Sequence, residues 1–147
     1  MSKILSFIVN DEKELLLLKG SPNDPQFKKS LWYVVTGGCE EVDKTKEETV
    51  KREVKEETNL DIKKMIYLNW ILKYNSLGNK CIEYVYISFV ENKDITLNEE
   101  NVDYQWCDIN TFVDKIDWFG NKEILKSVLN KALKEEVLFE NEQIDEF

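Results

Sequence analysis

Three glutamates, Glu53, Glu56 and Glu57, stand at i, i+3 and i+4 in a stretch patterned for a helix. At about 100° per residue they span an arc of roughly 100°, so their carboxylates leave one face together. Such neighbours repel by roughly a few tenths of a kcal/mol per pair on an open helix, and more when partly buried, unless a cation or an arginine stands among them. The chain has no histidine, which removes His-based general bases, Ser-His-Asp triads and most zinc sites. Oxygen ligands then select hard cations such as Mg²⁺ or Mn²⁺. A solvated, lysine-balanced helix is the plain alternative, and Glu47–Lys51 and Glu48–Arg52 are i,i+4 pairs that suit it.

The elements that would position these glutamates can be read on either side of them. Thr45 and Glu48 form a capping box that starts the helix, which runs to about Thr58. Asn59 follows where a left-handed residue ends helices. Val50 and Val54 lie beside the glutamate arc and offer a stripe to press onto a sheet. Upstream, Ile4–Val9 reads as a buried strand, and Glu14–Leu18 as its hairpin partner across Asp11-Glu12-Lys13. Residues 20–30 hold Pro22 and Pro25 and read as a loop, before a strand Leu31–Val35 that stops at Gly37-Gly38.

Downstream, strands are expected near Lys64–Tyr74 and Cys81–Val90 around a turn containing Gly78. A polar loop over 91–101 then leads to a short strand at Tyr104–Cys107. A last helix, Asn121 to about Leu138, carries Ile124, Leu125, Val128, Leu129, Ala132 and Leu133 at helical spacing. The interleaved elements predict an α+β domain, a sheet with helices on its faces, over residues 1–138. The acidic tail, 139–147, is expected to fray.

Composition narrows the class. A chain of 147 residues with 42% hydrophobic content suits one domain burying roughly 70% of its unfolded surface. No apolar run is long enough to cross a bilayer, and Ile4–Val9 is too short and too weakly basic for a signal peptide, so a cytoplasmic protein is expected. The net charge of −9 argues against long nucleic acids, whose binding rests on many Lys and Arg contacts. A small phosphorylated ligand stays compatible, because a bound divalent cation reverses the local field. Cys39, Cys81 and Cys107 are odd in number and lack a C-x-x-C pair, so they read as reduced, packed thiols.

In this context, residues 38–60 resemble the box of the Nudix hydrolases, G-x5-E-x7-R-E-U-x-E-E-x-G-U, where U is a bulky aliphatic residue. Gly38, Arg52, Glu53, Val54, Glu56, Glu57 and Leu60 match seven of its nine defined positions. Lys44 stands where the first Glu is expected, and Asn59 stands for the second Gly. The resemblance implies an α/β/α sandwich around a mixed sheet. It also implies Mg²⁺-dependent hydrolysis of a phosphoanhydride by metal-activated water, with Mn²⁺ a possible substitute, in a nucleoside triphosphate or similar nucleoside-diphosphate-linked molecule. Glu56 and Glu57 would be the main ligands, Glu53 a ligand or the general base, and Arg52 their brace. The family's first Glu is thought to pair with the box arginine; Glu41, Asp43 or Glu48 could take its place here.

The stretch Glu100-Asn101-Val102-Asp103-Tyr104-Gln105-Trp106 looks like the family's E-H-x-x-Y-x-W, which makes Glu100, with Glu99 behind it, the candidate fourth carboxylate. A solvated loop glutamate is the plain alternative. Lys19, Trp32, Gly37 and Gly38 are the candidate substrate contacts, and Tyr74, Tyr84 and Tyr86 could also stack a base. Trp32 to Gly38 and Trp118 to Lys122 look most like the dATP/dihydroneopterin triphosphate pyrophosphohydrolase branch. The implied partner is a small phosphorylated substrate, a nucleotide by analogy; a homodimer stays open. The competing reading is a nucleotide-binding sensor module on the same fold, without catalysis, motivated by Lys44 and Asp43.

Overall fold

A computed structural model describes residues 1–23, 30–91 and 93–147. Pro25, within the predicted loop, lies outside the described residues, as does Asn92. The elements run β1 (Ser2–Val9), β2 (Leu15–Gly20), β3 (Trp32–Tyr33), β4 (Val35–Gly38), α1 (Lys46–Thr58), β5 (Lys64–Ser76) and β6 (Asn79–Phe89). They continue with β7 (Asn101–Cys107), α2 (Ile109–Lys115), α3 (Lys122–Ala132) and β8 (Gln143–Glu146). The eight strands form one mixed sheet, so the α+β architecture read from the sequence holds.

Alternation along the strands builds two cores, because successive side chains point to opposite faces. Ile4 and Ile8 of β1, with Leu16 and Leu18 of β2, pack with Val50 and Val54 of α1. Leu5, Phe7 and Val9, with Leu15 and Leu17, pack instead with Phe112 and Val113 of α2 and Leu125, Val128 and Leu129 of α3. The runs are apolar on both faces because both faces are covered. The result is a three-layer sandwich.

Four expectations are corrected. The β1–β2 hairpin pairs only at Val9 and Leu15. Beyond it β1 pairs with β4 and β6, and β2 with β3 and β7. The predicted strand Leu31–Val35 is split at Val34, its first part beside β2 and its second beside β1. The last helix ends at Ala132, short of Leu138, with Leu133 as its cap. The acidic tail does not fray, for β8 runs parallel to β5 with Trp70 opposite Gln143 and Lys73 opposite Glu146. There the Trp70 indole N–H donates to Asp145 at 2.6 Å.

The sequence reading missed α2. Asp108 caps it by accepting from Thr111 N at 2.8 Å. Its apolar positions, Ile109, Phe112, Val113 and Ile116, keep helical spacing. Among the described residues no helix is long and apolar enough to cross a membrane.

Candidate active site

Helix α1 starts and stops where its local chemistry dictates. Thr45 accepts from Glu48 N at 3.1 Å, and the Glu48 carboxylate reaches back to Lys44 N at 2.8 Å. Asn59 ends the helix at φ 63°, in the left-handed conformation that asparagine tolerates. Between these caps Val50 and Val54 are fully buried, which holds the glutamate face in one orientation over the end of β4.

The three box glutamates do not share one environment. Glu53 and Glu57 are 8% and 6% exposed, whereas Glu56 is exposed and meets Arg52 Nη1 at 3.4 Å. The grouped carboxylates are Glu53, Glu57 and Glu100, whose nearest oxygens lie within 4.8 Å of one another. Glu100, directly before β7, arrives from a different part of the chain. Its backbone carbonyl accepts from Ser21 N at 2.9 Å, and Asn98 contacts its carboxylate at 3.1 Å. β7 pairs with β2 up to Gly20 opposite Asn101, with a register shift after Lys19, and that pairing delivers Glu100 to the glutamate face.

Burial, then the charges of Glu100 and Glu53, push the Glu57 carboxyl well up from its ordinary value. Burial likewise raises Glu53, against the pull of the Arg52 guanidinium. Asn101 donates to Glu57 Oε1 at 3.3 Å, while Oε2 is buried with no hydrogen-bond partner among the described residues. A buried carboxylate oxygen of this kind, beside two further carboxylates, makes a set of hard oxygen donors. These residues fit a divalent ion such as Mg²⁺ or Mn²⁺.

Arg52 organises the other side of the site. Nη1 donates to Glu53 Oε1 at 2.8 Å, and Nη2 donates to the Gly38 carbonyl at 3.0 Å. Asp43 takes the guanidinium in a two-pronged grip, Nε to Oδ1 at 3.1 Å and Nη2 to Oδ2 at 2.8 Å. Hydrogen bonds from Arg52, then from Glu40 N and Thr49 Oγ1, hold Asp43 far below the usual carboxylate range. Of the three partners open to Arg52 in the sequence, Asp43 is the one used. Glu48 is committed to the helix cap.

A NUDIX domain model matches residues 2–128. The chain belongs to the Nudix hydrolase family. Solved structures agree in fold at low identity. The MutT protein from Methanosarcina mazei Go1 is 21% identical with a TM-score of 0.71, over 92% of this chain and 94% of its own. The E. coli dihydroneopterin triphosphate pyrophosphohydrolase is 21% identical with a TM-score of 0.69, over 88% and 94%. The Nudix domain of Shewanella oneidensis NrtR, solved with ADP ribose, is 16% identical with a TM-score of 0.71, over 90% and 88%. No curated protein matches the chain.

The remaining candidates of this Nudix domain are placed unevenly. Gly37 packs directly against Glu53, whose Cδ would sit 2.1 Å from a Cβ there, while a Cβ on Gly38 would meet nothing within 4 Å. Lys19 lies opposite Trp32 in the β2–β3 pairing, with Nζ 5.7 Å from the indole centroid. Lys115 reaches the same indole at 4.2 Å, so Trp32 sits among cations at the sheet edge. Tyr84 and Tyr86 face α1: Lys46 lies over Tyr84 at 4.4 Å, and Tyr86 donates to Glu47 at 2.5 Å. Glu99 is exposed and outside the carboxylate group.

Sequence reading missed Asn101 as a partner of Glu57. Its signal was position, directly after Glu100. It also missed Lys3 and Glu83, which are buried on the other face of the sheet. Their pairing depends on the parallel register of β1 and β6, and no local pattern reports it.

Proposed function

We propose that this Nudix domain hydrolyses a phosphoanhydride bond in a nucleoside triphosphate or similar nucleoside-diphosphate-linked small molecule, using Mg²⁺ or, in its place, Mn²⁺. The observation that carries this reading is the meeting of Glu53, Glu57 and Glu100 within 4.8 Å, with an orphaned buried oxygen on Glu57. A divalent cation held there would neutralise the phosphates and acidify a water molecule. Glu57 and Glu53 would supply its buried ligands, Glu100 a third from across the cleft, and Glu56 a more exposed one. Glu53, packed against the bare backbone of Gly37, would serve either as that ligand or as the base that takes a proton from the attacking water. Arg52, gripped by Asp43, fixes the Glu53 carboxylate and ties α1 to Gly38. Lys19 and the edge of β4 would meet the phosphate chain. The structural neighbours support this range, for one is a dihydroneopterin triphosphate pyrophosphohydrolase and another is solved with ADP ribose bound.

The sensor reading is motivated by Lys44 and Asp43; against it, Asp43 grips Arg52 and so supplies the arginine's acidic partner. The deciding experiment incubates the purified protein with Mg²⁺ and a panel of nucleoside triphosphates, pterin triphosphate, ADP ribose and dinucleoside polyphosphates, following phosphate or pyrophosphate release. Turnover that falls about a hundredfold or more in Glu57→Gln is expected. Ligand binding without turnover across the panel would establish the sensor instead.

A further inference from the structure

Along β7 the side chains alternate between the two cores. Trp106 packs with the cluster under α1, and Cys107 belongs to the cluster on the opposite face. Their partners on β2 follow suit, Leu16 opposite Trp106 and Leu15 opposite Cys107. Unbroken alternation would carry Val102 to the α1 face and Asn101 to the far one. The ladder is broken at that point. Lys19 stands opposite Asp103 and Gly20 opposite Asn101, so Val102 is an extra residue with no partner on β2. This is a β-bulge, with Val102 56% exposed. The extra residue moves Asn101 into the place opposite Gly20, on the side of α1, where Gly20 adds no side chain of its own.

There the Asn101 amide donates to Glu57 Oε1 at 3.3 Å, across 44 positions of the chain. The backbone that carries the amide is tied down close by. Ser21 N donates to the Glu100 carbonyl at 2.9 Å, and Asn101 N donates to the Asn98 carbonyl at 3.4 Å. Glu100 N donates to Asn98 Oδ1 at 3.0 Å. Glu57 itself is buried, and its second oxygen, Oε2, has no hydrogen-bond partner among the described residues. One neutral donor thus meets one oxygen of the carboxylate and leaves the other open. A lysine or arginine in that place would neutralise Glu57 and compete with a cation for it. An amide orients the carboxylate without competing.

We infer that Asn101 is a positioning residue for Glu57: turned toward α1 by the bulge at Val102, its amide holds Oε1 and so keeps Oε2 available to a divalent cation beside Glu53 and Glu100. Asn101 acts through Glu57 and needs no contact with the substrate. Hydrogen-bonding partners of this kind orient ligating carboxylates and raise metal affinity. The inference rests on the proposed metal-dependent reading for its cation, and on the bulge and the hydrogen bond for its residue.

The test titrates Mn²⁺ into the metal-free protein with no nucleotide present and follows the free ion by electron paramagnetic resonance. Asn101→Leu, which keeps bulk and removes the donor, should weaken Mn²⁺ binding about tenfold or more. Asn101→Ala, a smaller change, should show the same direction of loss if leucine is not accommodated. Asn101→Gln restores an amide and should recover most of the affinity. Where turnover is seen, the deficit of Asn101→Leu should shrink as Mg²⁺ is raised, because the defect lies in holding the ion. A residue that only supported the fold would lower the melting temperature and leave the Mn²⁺ affinity of the folded protein unchanged, and that result overturns the assignment. Failure of every nucleotide to turn over counts against the hydrolase reading alone, since the Mn²⁺ titration still decides this one. Equal affinity in the wild type and Asn101→Leu, or no Mn²⁺ binding by the wild type, refutes it.

Discussion

The carboxyl group of Glu53 fills the space that a side chain on Gly37 would need: a Cβ at residue 37 would lie 2.1 Å from Glu53 Cδ and 2.5 Å from Oε1. The glycine is required by close approach and not by its backbone angles. Gly37→Ala should therefore act on the site more than on the fold, because Glu53 can rotate aside. A stability loss of about 1 kcal/mol should accompany a roughly hundredfold drop in turnover, since displacements near 1 Å suffice for that. Gly38→Ala, with open space around it, should stay within about 0.5 kcal/mol of wild type. Paired thermal melts and rate assays check both; equal effects at the two glycines would refute the distinction.

Asp43 does for Arg52 what the family's first glutamate is thought to do. Asp43→Asn should cut activity about tenfold or more by loosening the arginine that orients Glu53. Lys44→Ala should change it less than about twofold, because Lys44 is engaged through its backbone N–H, which donates to Glu48 and is kept in the variant. A large loss in Lys44→Ala would show that the loop works differently.

The same pair predicts an acid-side stability slope. The folded-state pKa of Asp43 lies below its ordinary value of 3.8. Its contribution is thus fully present above that ordinary value and is lost as pH falls from there through the lower folded-state value. Melting temperatures of the wild type between pH 6 and pH 2 should fall more steeply than those of Asp43→Asn below about pH 4. Parallel curves would mean that the pair is not formed in solution.

Glu57 should trade stability for function. Its carboxylate is buried, crowded by Glu53 and Glu100, and half unpartnered, so the metal-free protein carries a strain that a neutral isostere relieves. Glu57→Gln should raise the metal-free stability by about 1 kcal/mol and should abolish the rise in melting temperature that the proposed Mg²⁺ site predicts for the wild type. A Mg²⁺-induced shift that survives the substitution would remove Glu57 from the ligand set.

Strand β8 can be tested without touching the site. Trp70 is 2% exposed and its indole N–H is met by Asp145. Asp145→Ala leaves that donor buried and unpaired, which should cost about 1–2 kcal/mol in urea unfolding. An unchanged midpoint would return the tail to a frayed state.

Helix α1 was legible because everything that defines it is local. Thr45, Glu48 and Asn59 cap it within a few residues of their targets, and i, i+3, i+4 spacing alone puts Glu53, Glu56 and Glu57 on one face. Strand pairing is a different matter, since the turn at Asp11-Glu12-Lys13 predicts that β1 and β2 meet but cannot say that they part after one pair. In β8, Gln143, Ile144, Asp145 and Glu146 lack the apolar alternation that marks a strand, so only the free edge of β5 and the waiting indole of Trp70 reveal it.

The sequence by itself determined the family box, the oxygen character of any metal site and the glutamate-bearing face of α1, because residue identity and helical pitch suffice for these. The tertiary structure decided which carboxylates converge. It turned Glu56 toward solvent, brought Glu100 in through the β2–β7 register, and chose Asp43 among three acidic partners for Arg52. It also set Lys3 beside Glu83, 80 positions away in the chain. Each of these depends on how strands register across the sheet, and register is fixed by the packing of two cores at once, which no local run of residues encodes.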